Sequence, residues 1–86
     1  MSVDEQLKTE TLKWLDKCGD EVSRVKASDS KGEEFLVNIK AYISDTQHFI
    51  DKGDLVRAFE AIVWAWAWLE IGKDVGVLED TGKKIA

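Results

Sequence analysis

Apolar residues recur along the chain at steps of three and four, the spacing of one face of an α-helix. Val3, Leu7, Thr11, Trp14, Leu15, Cys18, Val22 and Val25 keep a single such phase straight through Gly19, so a first helix is predicted over about 3–26. Ser2 followed by Glu5 has capping-box spacing, in which the serine hydroxyl takes the N3 amide and the glutamate reaches back to the cap. The small, polar segment Ala27 to Gly32 interrupts the pattern, and Ser30 with Glu33 repeats the capping spacing. A second helix is therefore predicted over about 31–52, on the stripe Phe35, Leu36, Ile39, Tyr42, Ile43, Thr46, Phe49 and Ile50. At Asp51-Lys52-Gly53-Asp54 the glycine can take the left-handed C′ position that ends this helix and Asp54 can cap the next. A third helix is predicted over about 55–75, closed by Gly76, with Val77 packing back on Ile71 in the Schellman manner. Residues 79–86 have little to bury and are expected to fray. The short turn makes the second and third helices antiparallel neighbours, so the fold class is all-α: an antiparallel three-helix bundle, a hairpin of helices two and three plus the N-terminal helix.

The third helix differs from the others because it is apolar on two sides. Val63-Trp64-Ala65-Trp66-Ala67-Trp68-Leu69 places three tryptophans at alternate positions. At about 100° per residue, Trp64 and Trp68 share one side while Trp66 points away from them. One stripe holds Leu55, Ala58, Phe59, Ile62, Ala65, Trp66 and Leu69 and is expected to meet the second helix. The other holds Ala61, Trp64, Trp68, Ile71 and Val75. Left in water this second seam would expose on the order of 500 Å², as much as the largest patch on a typical monomer. The expectation is that the first helix covers part of it and a second subunit the remainder, in a C₂ homodimer.

Composition narrows the class. A single chain of 86 residues, 44% apolar and 34% charged with no proline, fits one small soluble helical domain and is too apolar for a disordered segment. The formal net charge of −5 opposes binding to a polyanion, since phosphate affinity comes from lysines and arginines that release counterions, so no nucleic acid is expected. The single cysteine cannot close an internal disulfide. No apolar run approaches the roughly 18 residues that a membrane span needs, and the polar start lacks the blocks of a signal peptide. No membrane association and a cytoplasmic location are therefore expected.

The candidate chemistry is thin. His48, with Asp45 and Asp51 three residues to either side, lies on the polar side of the second helix and has no second histidine to complete a metal set. Cys18 sits on the apolar stripe of the first helix, where it reads as a small buried hydrophobe. Asp16 with Asp20 and Glu70 with Asp74 lie one turn apart, as bundle metal carboxylates do, but no Glu-x-x-His element accompanies them. Glu33 and Glu34 are followed by Phe35, Leu36 and Val37, with no acid completing the carboxylate set of a helical nucleotide hydrolase. Lys13, Lys17 and Arg24 form a mildly basic side interrupted by Asp20 and Glu21, as a solvated face is. No catalytic, cofactor or metal residue is assigned.

Lys52-Gly53-Asp54, then Arg57-Ala58-Phe59-Glu60-Ala61, then Trp68-Leu69-Glu70 with Gly72, Gly76 and Leu78, resemble domain of unknown function family 357, a family of short archaeal proteins. The match runs from the end of the second helix to Leu78. The resemblance implies a helical fold and an archaeal source; it carries no activity, substrate or cofactor. Three function classes follow from the residues. The first is a noncatalytic interaction or assembly module that self-associates through Ala61, Trp64, Trp68, Ile71 and Val75, as a homodimer or with another protein. The second is a tetratricopeptide-like hairpin that accepts a partner helix and leaves a tryptophan partly wet. The third is a small metal-dependent hydrolase built on Glu70 and Asp74.

Overall fold

The structure is a computed structural model and describes residues 2–84. Three helices, α1 (Val3–Val22), α2 (Ser30–Asp51) and α3 (Leu55–Asp74), make an all-α bundle of 42 × 22 × 21 Å, with α2 packed closely on α3 and α1 laid against α3. Two three-residue strands, β1 (Val25–Ala27) and β2 (Leu78–Asp80), tie the base of the bundle together.

The helix ends follow from local chemistry. The Ser2 hydroxyl accepts from the Glu5 amide at 3.1 Å and donates to the Glu5 carboxylate, so the predicted cap forms with the glutamate on the hydroxyl instead of the amide. At α2 the cap is one residue earlier than Ser30: Asp29 Oδ1 accepts from the Gly32 amide at 2.8 Å. The turn between α2 and α3 is a Schellman motif, with Gly53 at φ 76°, its N–H on the Ile50 carbonyl and the Asp54 N–H on that of Phe49. Asp54 then caps α3 through the Arg57 amide. The same motif ends α3, with Gly76 at φ 83°, its N–H on the Lys73 carbonyl and the Val77 N–H on that of Gly72. Val77 packs toward the core, and Ile71, its expected contact, stays half-exposed.

Two expectations need correction. The first helix does not reach residue 26. It ends at Val22, and Val25–Ala27 pairs antiparallel with Leu78–Asp80, opposing Val25 to Asp80, Lys26 to Glu79 and Ala27 to Leu78. The tail from residue 79 is not loose where it is described. Leu78 is buried, and the Thr81 amide and hydroxyl both donate to the Arg24 carbonyl at 2.8 Å. Residues 85 and 86 of the expected frayed segment lie outside the described residues. The strands replace the helix because Val25 gains a buried place against Leu78 and the core, and two valines at 22 and 25 are poor helix formers.

The core joins all three helices and the small sheet: Cys18, Val25, Ile39, Ile62, Ala65, Leu69 and Leu78, with Phe35, Leu36, Trp66 and Trp68 among the side chains packed around them. Ala58, Ala61, Ala65 and Gly72 keep one side of α3 narrow, which lets α2 approach. Thr11 and Thr46 sit fully buried on their apolar stripes because each hydroxyl donates to the carbonyl four residues back, at 2.7 Å. The base is locked by Gly32, where a Cβ would lie 2.0 Å from the Val77 carbonyl oxygen, and by Gly72, where it would lie 2.5 Å from Leu78 Cδ1.

A candidate docking face on the third helix

The two aromatic sides of α3 meet the opposite helices from those expected. Trp66 faces α1: its Nε1–H donates to the Trp14 carbonyl at 3.0 Å, and the two indoles meet edge to face at 5.7 Å. Trp64 and Trp68 face α2, Trp68 edge-on to Phe35 at 5.1 Å and Trp64 stacked on Tyr42 at 6.5 Å with 19° between the planes. Helix α2, and not α1, therefore covers the inner part of the Trp64/Trp68 seam. The expected interface set divides accordingly. Ala61 is buried in the hairpin and Trp68 half-buried against Phe35, whereas Trp64, Ile71 and Val75 remain at the surface.

Val56 and Val63 join those three, though neither belonged to a predicted stripe. The exposures are Val56 64%, Val63 49%, Trp64 55%, Ile71 45% and Val75 61%. With a tryptophan presenting up to about 250 Å² and a valine somewhat less, the five leave on the order of 450 Å² of apolar surface in water. The signal for the two valines was present in the sequence: a helix apolar nearly all round cannot bury every side against two neighbours.

Charge on this side of α3 is mainly acidic, with Arg57 its one exposed cation among the described residues. Glu60, Glu70 and Asp74 are exposed there. Arg57 is engaged by Asp54 at 2.7 Å, which holds the Asp54 carboxyl below the usual carboxylate range. Lys73 turns toward α1, bonded to Glu21, and lies 3.2 Å from Glu70; the Glu21 bond raises its pKa. Trp14, on α1, is differently placed. Lys13 and Lys17 sit 5.3 and 5.1 Å from its ring, and its Nε1–H donates to Glu10.

One concavity borders the face at Val63, and a second has no α3 residue in its lining. Trp14, Phe59, Ile62, Val63 and Trp66 line an apolar cleft of about 360 Å³ between α1 and α3. A wider groove of about 660 Å³ separates α1 from α2 and carries Leu15 and Ile43 beside Asp16 and Asp20. Asp20 is bonded to Arg24 at 2.7 Å and lies 3.7 Å from Lys84. Among the described residues no three His, Cys, Asp or Glu side chains come together as a metal site requires. His48 is exposed, edge-on to Phe49. Cys18 is wholly buried, and burial, with a smaller contribution from Glu21, pushes its thiol up to about 12. It is therefore a protonated core thiol at neutral pH. Among the described residues no helix is long and apolar enough to cross a membrane.

The model of a family described as Protein of unknown function (DUF357) matches residues 13–78. The chain belongs to that family. Its fold is similar to the crystal structure of protein AF1782 from Archaeoglobus fulgidus, also of DUF357, with a TM-score of 0.86 and 54% identity over 93% of this chain and 100% of that one. No curated protein matches. The resemblance drawn from the Gly53-Asp54 turn and the Trp68-Leu69-Glu70 triplet thus extends well into α1.

Proposed function

We propose that this DUF357 protein is a noncatalytic protein-docking module that works in the cytoplasm through the solvent side of α3. One observation carries the reading: five large apolar side chains stay half-exposed along a helix whose opposite side already fills the core. A helix needs only one apolar side to fold, so the second side is surplus to folding and is kept at the risk of aggregation. Its length suits a helical occupant, since Val56 to Val75 spans about 28 Å at 1.5 Å per residue. The wet Trp64 specifically favours the helix-accepting form of this reading. The carboxylates Glu70 and Asp74 serve it as a charged rim.

Amide NMR on the full chain tests the proposal. Shifts at Val56, Val63, Trp64, Ile71 and Val75 are expected to move either with protein concentration, for self-association, or on titration with amphipathic helical peptides. Shifts that move only in the groove between α1 and α2, or nowhere up to millimolar concentration, would refute it.

A further inference from the structure

Resting on the docking reading above, we infer that the occupant of the α3 face is a basic amphipathic helix of another protein, one of whose cationic side chains stacks on Trp64 beside Glu60. The argument is charge complementarity. Trp14 and Trp64 are the two most exposed of the four tryptophans, and their surroundings differ. Trp14 already has Lys13 and Lys17 near its ring at 5.3 and 5.1 Å. Trp64 is the more exposed, and Tyr42 lies nearly parallel to its ring on the α2 side. No cation of the described residues approaches it; Arg57, two turns away on the same side, is held by Asp54. Glu60 lies one turn before Trp64, and Asp74 one turn past Glu70, and at about 100° per residue Glu60 and Asp74 fall among the exposed apolar side chains. Glu60 feels Arg57 one turn away, but the hydrogen bonds of that guanidinium go to Asp54, so an exposed indole beside a carboxylate with no hydrogen-bonded cation of its own is a matched site for an arginine or lysine, which gains the ring quadrupole and the carboxylate together.

A second copy fits this surface less well. A two-fold axis through α3 would bring Glu60, Glu70 and Asp74 of one protomer to the same acids of its partner, each chain already carrying a formal net charge of −5. Like charges desolvated across an interface oppose association, whereas a basic helix removes the repulsion and covers the same apolar area. The chemistry required of the partner is then specific: an apolar stripe at heptad spacing to cover Val63, Ile71 and Val75, flanked by arginine or lysine.

The test uses the full chain and two synthetic helical peptides of identical leucine heptads, one flanked by arginine and lysine and the other by glutamate, titrated by calorimetry. The basic peptide is expected to bind at least about tenfold more tightly than the acidic one, and to weaken as salt is raised. Trp64→Ala and the pair Glu60→Gln with Asp74→Asn should each weaken it by about tenfold, while Asp16→Asn with Glu33→Gln, the same change of charge elsewhere, should leave it unaltered. Equal affinity for the two peptides, or equal weakening by the control pair, would overturn the inference. So would a dimer in light scattering that Trp64→Ala dissociates; that result would leave the docking reading standing with a second copy as occupant. If neither peptide binds and the chain stays monomeric, both readings fail.

Discussion

Gly19 and Gly32 invite the same substitution, and the structure assigns it opposite signs. Both lie inside helices, at torsions with negative φ, where alanine normally stabilises by up to about 1 kcal/mol. At Gly19 an added Cβ meets nothing within 4 Å, so Gly19→Ala is expected to deliver that gain. At Gly32 the Cβ would lie 2.0 Å from the Val77 carbonyl oxygen, 3.0 Å from its carbon and 3.1 Å from Ala27 Cβ. Backbone must move, and it is backbone already committed, since that carbonyl accepts from Ser28 at 2.9 Å next to the β1–β2 pairing. Overpacking of this kind costs about 1–3 kcal/mol, and the broken ladder contacts add to it, so the helix-propensity gain is outweighed. For a domain of this size 1 kcal/mol moves Tm by about 4–8 °C. Calorimetry should therefore show Gly19→Ala melting about 4–8 °C higher than the parent and Gly32→Ala about 8–15 °C lower. A Gly32→Ala protein as stable as the parent would refute the close approach of α2 to Val77 and with it the account of how the strands dock.

Other substitutions examine separate contacts. Leu78→Ala removes a buried side chain from the core and should cost about 2–4 kcal/mol in urea denaturation; a neutral effect would restore the frayed tail. Trp66→Phe loses the bond to the Trp14 carbonyl and should lower the urea midpoint by the equivalent of about 1 kcal/mol, with the slope unchanged. The Cys18 thiol ionises near its ordinary 9.0 when unfolded and near 12 when folded, so its contribution to stability is complete below about pH 9 and declines as pH rises toward 12. The parent should accordingly lose more stability than Cys18→Ala between pH 8 and pH 10.5, and parallel losses would contradict the buried thiol. Trp64→Glu, at the exposed face, should change stability by less than about 1 kcal/mol; a collapse of the fold would make Trp64 a core residue and not a docking one.

What the sequence could show, it showed through local interactions. The helix bounds at Ser2, Gly53, Asp54 and Gly76 rest on hydrogen bonds closed within a few residues, so residue type and spacing determine them. The one-residue difference at Asp29 has the same origin, since Asp29 and Ser30 are both good caps and tertiary contact at Gly32 selects between them. The short sheet was not legible. Val22 and Val25 keep the helical phase, and only the strand Leu78–Asp80, more than fifty residues on, gives Val25 a partner, Asp80, to leave the helix for. The exposed apolar face was half legible: Trp64, Ile71 and Val75 are where the period places them, but Ala61 is buried and Trp68 is spent on α2.

That division has one physical cause. A period of about 100° per residue determines which side chains of α3 share a side, and from it the chain alone establishes three helices, an antiparallel hairpin and a third helix with more apolar surface than two neighbours can bury. It contains no information on which neighbour each side meets. Whether Trp66 rests on Trp14 and Trp68 on Phe35, or the reverse, depends on which sides of α3 the helices α1 and α2, joined through β1 and its pairing with β2, come to occupy, a contact between distant segments that only the tertiary structure decides.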